Sequence, residues 1–266
     1  MAVQVRRAGV GIADSVSQPP PRLPGLLTPA RRAGRVARMG FLGTAILAFW
    51  ADVDPSGEAD YVDWHNREHM PERVGIPGFR RGRRYVAISG APEFFNLYEA
   101  DSPEILAGQD YLNRLNAPTA WTQRVIPSFR NVSRSLCRVA FTNGVGSGGV
   151  MLTLRFAIDG AHRDSTIDAL RRRLLPPLVY RKGIAGVHLC LADDAASSVE
   201  TAEKRVRADA TLVPSWIILI EGNAVPDVDA AADDLVPTLM AHAAQAPERA
   251  IYRLEFTRLK TPWSAG

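Results

Sequence analysis

The order strand, helix, strand, strand, helix, strand runs twice along this chain, each copy about 100 residues long. No other feature constrains the fold as much. In the first copy, apolar β-rich runs fall at 44–53, 79–89, 93–100 and 129–142, with helical stretches at 58–74 and 103–115. In the second, strands are expected at 150–158, 186–192, 215–221 and 251–259, with helices at 165–175 and 227–244. An insertion, 193–212, holds a short charged helix. Local echoes support a repeat: Ile76-Pro77-Gly78-Phe79 with Ile184-Ala185-Gly186-Val187, Leu97-Tyr98-Glu99 with Leu219-Ile220-Glu221, and more loosely Arg134-Ser135-Leu136 with Arg253-Leu254. Each unit makes a four-stranded antiparallel sheet with both helices on one face. The other face is left bare and apolar, and the second copy is its simplest cover.

The remaining segments follow from composition. Residues 1–40 read as a disordered basic segment, with seven arginines, one acid (Asp14) and a Pro-Pro-Pro run at 19–21. Synthesis from Met39 is expected to leave the folded body complete. Residues 41–142 form the first unit, the Gly- and Ser-rich 143–149 a linker, and 150–260 the second unit. Residues 1–38 contribute +6 to a total of +4, so the body carries −2. A mildly acidic body has no electrostatic footprint for nucleic acid. Cys137 and Cys190 match no metal or C-x-x-C spacing and read as buried reduced thiols, which suits a cytoplasmic location. No apolar run is long enough for a membrane-spanning helix.

The potential chemistry is concentrated in 58–79. This stretch holds His65 and His69, five carboxylates, Tyr61 and Trp64. At i and i+4 the histidines share one helix face. An α-helical period extends that face as Tyr61, His65, Glu68 and Glu72, with Trp64 and His69 flanking it. Pro71 predicts a kink or an end near His69, and Pro77-Gly78 a turn into the next strand.

The block Trp64-His65-Asn66-Arg67-Glu68-His69-Met70-Pro71-Glu72-Arg73, followed by Ile76-Pro77-Gly78-Phe79, resembles the EthD-like branch of the dimeric α/β-barrel superfamily. His69-Met70-Pro71 supplies its H-x-P element and Pro77-Gly78 its turn. The runs Arg83-Arg84-Tyr85, Phe95-Asn96-Leu97-Tyr98-Glu99 and Pro118-Thr119-Ala120-Trp121-Thr122 resemble bacterial members of the same group. The resemblance covers 43–140 well, and 150–259 only through element order. It implies an α+β fold: two tandem ferredoxin-like βαββαβ units packed sheet to sheet as an intramolecular dimeric α/β barrel. It also implies a small cavity in the first unit, between helix and sheet, near His69. The second unit has Leu174-Leu175-Pro176 in place of His69-Met70-Pro71, so one working site per chain is expected.

The candidate function is a cofactor-independent enzyme of isomerase, cyclase or monooxygenase type, acting on a small aromatic or lactone-like substrate. His69 and His65 are the candidate acid/base residues, with Glu68 holding a tautomer. Tyr61, Trp64, Tyr98 and Trp121 are candidate pocket walls. Arg83, with Arg81 and Arg84 beside it, is the candidate for a substrate carboxylate or enolate. Along a strand, Arg81 and Arg83 share one face and Arg84 takes the other. The alternatives are a ligand-binding or stress-associated protein without turnover, a haem enzyme with an axial histidine, and a zinc hydrolase reading of the H-x-x-E-H spacing. No cofactor is called for. Pairing of two chains is left open.

Overall fold

The computed structural model describes residues 40–206, 211–243 and 245–260. The basic N-terminal segment therefore lies outside the described residues except for Gly40. Eight strands, β1 (Ala45–Val53), β2 (Phe79–Ser89), β3 (Phe94–Ala100), β4 (Phe129–Gly144), β5 (Val150–Phe156), β6 (Ile184–Ala192), β7 (Trp216–Gly222) and β8 (Glu248–Leu259), close into one antiparallel barrel. Around the barrel the order is β1-β3-β2-β8-β5-β7-β6-β4. Each half keeps the βαββαβ arrangement, and the halves join edge to edge at β2–β8 and β4–β6. Closure leaves no unpaired sheet edge. No helix among the described residues is long and apolar enough to cross a membrane.

Both strand faces are apolar because both are covered. Ile46, Ala48, Trp50, Phe95 and Leu97 point into the barrel, where they meet Met151, Ile217, Leu219 and Tyr252 of the other half. Leu47, Phe49, Phe94 and Tyr98 point outward to the first half's helices. Leu152, Leu154, Ile218 and Ile220 do the same in the second half. Cys137 and Cys190 are both free and buried in the barrel core, where desolvation holds the thiols well above their ordinary range.

The pairing registers give the internal alignment of the repeat. Glu99 and Glu221 occupy equivalent places, opposite Ile46 and Met151. The Leu97-Tyr98-Glu99 echo is therefore real. The Ile184-Ala185-Gly186 echo is displaced by three residues. A bulge follows Phe79 in β2 and Ile184 in β6, so Gly78 corresponds to Gly183, both with positive φ (86° and 78°). The looser echo shifts too, since Ser135 faces Ala48 where Ala250 faces Thr153, which sets Arg134 against Arg249. An added Cβ at Gly78 would also lie 2.6 Å from Ile105. Gly78→Ala is expected to destabilise by about 1–2 kcal/mol, read as a shifted urea midpoint.

Several boundaries differ from expectation, among them the helix expected at 227–244, which is Val225–Asp233 and Val236–Met240, and the last strand, which starts at Glu248. The helix expected at 103–115 breaks at the extended Gly108 into Pro103–Ala107 and Gln109–Asn116. The loop around Trp121 is helical over Ala120–Val125, with Thr119 accepting from the Thr122 amide as N-cap. Strand β4 keeps pairing through Gly144, two residues into the stretch read as linker.

Candidate functional site

The helix that carries the two histidines does not stop at Pro71. It runs as Glu58–Trp64, a π turn His65–His69, and Met70–Gly75. Proline has no N–H, and its ring collides with the carbonyl four residues back. The wider turn relieves that collision, with the Met70 amide donating to the His65 carbonyl. Leu170–Leu174 makes the same π turn before Pro176 in the second half.

The π turn changes which residues share a face. Trp64 and His69, five apart, lie with ring centroids 4.2 Å apart and planes tilted by 36°, an approach an α-helix would not permit. The inward stripe becomes Tyr61, His65, His69 and Arg73. Glu68 leaves it and accepts from Thr119 Oγ1 at 2.5 Å on the other side. Glu72 pairs with Arg114 at the surface.

A hollow of about 40 Å³ lies between this stripe and the sheet. Of the expected site residues, His65, His69, Tyr61, Trp64 and Tyr98 line it, with Asn96, Arg73, Tyr111, Arg134 and Glu203 among the other walls. Three expected residues do not. Glu68 faces away, as described. Trp121 packs on the outside of the helical layer and donates to Asp60 at 2.8 Å. Arg83 points into the barrel, where it bonds Glu221 at 2.9 Å and Glu99 at 3.0 Å. Of the β2 arginines it is Arg84, on the opposite strand face, that reaches the site, through His65.

Arg84 fixes the state of His65. A guanidinium only donates, so at 3.2 Å the His65 Nδ1 must be the acceptor. The ring proton then sits on Nε2 and is donated to Tyr98 Oη at 2.9 Å. Burial, then Arg84 and Arg73, hold the imidazole well below its usual value of 6.5, so it stays neutral. Burial also holds Tyr98 well above the phenol range. Tyr98 thus remains a neutral hydroxyl whose own proton is free to donate. Asn96 Nδ2 donates to Tyr61 Oη at 3.1 Å beside it.

Both nitrogens of His65 are therefore in use, and neither offers a lone pair to a metal or haem iron. With Glu68 turned away, the H-x-x-E-H spacing makes no zinc grip here. His69 is half-buried at the rim, its ring 5.6 Å from His65 and 6.5 Å from Tyr98.

His65→Leu is expected to cost about 1–3 kcal/mol, because it strands the Tyr98 hydroxyl and an Arg84 N–H. It should also flatten the acid limb of stability. Below pH 6.5 the unfolded chain takes a proton that buried His65 refuses, so wild-type stability falls as pH drops from there. Urea titrations at several pH values read both effects.

The second half has nothing comparable. Leu170 and Leu174 stand where His65 and His69 do, Leu189 where Arg84 does, and Ile218 and Ile220 where Asn96 and Tyr98 do. Among the described residues that layer is apolar except for Thr166, which stands where Tyr61 does. Arg73, Arg134, Tyr111 and Glu203 were not foreseen. Arg73 follows His69 by four residues, which was the one sequence signal. The others arrive by tertiary packing.

No family model matches the chain, and no curated protein sequence matches it. Solved structures do. An anthrone oxidase-like protein aligns with a TM-score of 0.57 at 14% identity, covering 81% of this chain and 92% of its own. A candidate monooxygenase from Fusobacterium nucleatum aligns at 0.53 and 10% identity, covering 82% and 96%. A chlorite dismutase variant from Candidatus Nitrospira defluvii aligns at 0.50 and 10%, covering 79% and 91%. The fold is thus that of the α/β-barrel proteins of ferredoxin-like type.

Proposed function

We propose that the chain is an EthD-like α/β-barrel enzyme that needs no cofactor and acts on a small aromatic or lactone-like substrate. One observation carries this reading. The polar set His65, Tyr98, Arg84 and Asn96, with His69 at its rim, exists in one half only, where the equivalent half is packed with leucine and isoleucine. Buried polar networks are costly, and a purely structural layer has the apolar solution at hand in the same chain.

The geometry supports the following roles. His69 is the group that takes a proton from a carbon next to a carbonyl, or from a phenol. Tyr98 donates to the oxygen on which negative charge develops, its hydroxyl polarised by the donor chain Arg84 to His65 to Tyr98. His65 orients and polarises Tyr98 and is not the base. Returning the proton elsewhere on the substrate makes an isomerase. Addition of dioxygen to the carbanion gives a hydroperoxide, and loss of water from it, at a carbon that still bears a hydrogen, leaves one oxygen as a new carbonyl; that makes a monooxygenase, the class in the Fusobacterium protein's name.

A second reading is ligand binding without turnover; at about 40 Å³ the hollow holds a water and not a ring, so under either reading a ring enters only when a wall moves. The experiment that separates the two incubates purified chain aerobically with enolisable hydroxyaromatics and lactones, without added cofactor, and follows products by mass spectrometry. Conversion lost in His69→Ala supports the enzyme. Retention without conversion supports the binder. A Soret band in the purified protein would overturn the cofactor-free assignment.

A further inference from the structure

We propose that the first-half hollow is built for an anion, and that Glu203 is a built-in occupant which a carboxylate ligand displaces. This rests on the reading of that hollow as the ligand site and adds the charge class of the ligand and its route of entry.

The walls of the hollow are electrostatically unbalanced. Arg73 and Arg134 both line it, 2% and 8% exposed. Among the described residues no carboxylate lies within 4 Å of Arg134, whose Nη2 donates to the Tyr111 hydroxyl at 2.9 Å. Arg73 sits over the Tyr111 ring, 5.8 Å from its centroid, so one tyrosine links the two guanidiniums. Arg73 Nη2 bonds Glu203, while its Nη1 is buried with no hydrogen bond, the nearest carboxylate being Glu72 Oε2 at 3.5 Å. His65 is neutral, so among the described lining residues two cations face the single carboxylate of Glu203; Glu72, outside the lining, also pairs with Arg73, and Arg134 is the cation left without a carboxylate. A buried cation without a partner is strongly unfavourable, and a bound anion removes that cost.

Glu203 does not come from this half. It lies on the short helix Ala202–Val206, in the insertion between β6 and β7, which packs across Gln109–Asn116 and Ala120–Val125. The insertion also covers a second hollow of about 50 Å³, roofed by Ala196, Val199 and Thr201. The two hollows share Tyr111, Leu115 and Arg134 as a partition. A carboxylate that replaces Glu203 on Arg73 releases the helix holding it, and lifting that cover opens the space a ring needs. The ligand is therefore a flat acid, with its carboxylate on Arg73 and Arg134 and its ring toward His69 and Tyr98.

The test uses the full chain with benzoate and its neutral isostere benzamide, by calorimetry and thermal shift. Benzoate is expected to bind at least about tenfold tighter than benzamide. Glu203→Gln removes the competitor, so benzoate tightens by about tenfold. The ligand-free variant melts lower than wild type, and benzoate restores its melting temperature. Arg134→Met weakens benzoate by about tenfold and leaves benzamide unchanged. Equal binding of the two compounds, or no tightening in Glu203→Gln, overturns the anion site while leaving the hollow as a ligand site. Binding of neither compound to wild type or to Glu203→Gln overturns both readings.

Discussion

Replacing Arg83 by leucine is expected to remove about 3–5 kcal/mol of stability, the penalty for breaking a buried ion pair from one side. The side chain is 1% exposed and holds together carboxylates from both halves of the barrel. Glu99 also receives Arg81 Nε at 2.7 Å and the Leu42 amide at 2.8 Å. Glu221 receives the Gly148 amide at 3.2 Å, and His188 Nε2 lies 3.3 Å away. Without Arg83, two buried carboxylates share too few donors. The pH response has a definite sign. Burial works against ionisation of Glu221, but Arg83 and His188 outweigh it and hold the carboxyl well below its usual 4.5. A depressed folded value gives stability that is present above 4.5 and is lost as pH falls through the folded value. Wild type should therefore keep this contribution until strongly acid pH, and Arg83→Leu should unfold at a higher pH. Urea melts across an acid series measure both. Replacing Arg83, Glu99 and Glu221 together by apolar residues should recover part of the loss, because neither carboxylate is then left buried without its guanidinium, while Arg81 keeps only its bond to Ser147.

His69→Ala is expected to lower turnover by about 10²–10⁴-fold while the melting temperature stays close to that of wild type. The asymmetry follows from position. His69 is half-buried at the rim of the hollow, and its ring rests on Trp64 instead of carrying the His65–Tyr98–Arg84 chain. Tyr98→Phe is the companion variant. It keeps the ring in the layer, deletes the donor hydroxyl, and should lower kcat more than it raises KM, because the hydrogen bond strengthens as charge develops on the substrate oxygen. Steady-state kinetics on the substrate found in the product screen read both. Full activity in His69→Ala would remove the acid/base assignment.

The architecture was legible because periodicity and element order survive in each half. Largely unbroken apolar runs in β1, β3, β5 and β7 mark strands covered on both faces, and the doubled order requires a second sheet as cover. The site was legible only in part, for three physical reasons. A π turn is invisible to a 3.6-residue period, so the face was drawn through Glu68 and Glu72 when Pro71 had moved it to His69 and Arg73. Strand parity separates Arg83 from Arg84 but does not say which face is inside, and the barrel took Arg83 for the Glu99–Glu221 clasp. Glu203 meets Arg73 only because the insertion after β6 folds back over the other half, while Arg134 and Tyr111 meet by packing within the first half. The repeat itself misled at Gly186, where a familiar Gly-hydrophobic pair sits three residues past the positive-φ glycine that matters, Gly183.

The most direct measurement is hydrogen–deuterium exchange of the full chain with and without saturating substrate, or benzoate in its place. Slowed exchange confined to 58–75 and 94–100, with faster exchange in the released 202–206 cover and with 163–178 and 216–222 unchanged, is the result expected of a single ligand-filled hollow on one side of the barrel. Protection of both helical layers alike, or of the second alone, would contradict it.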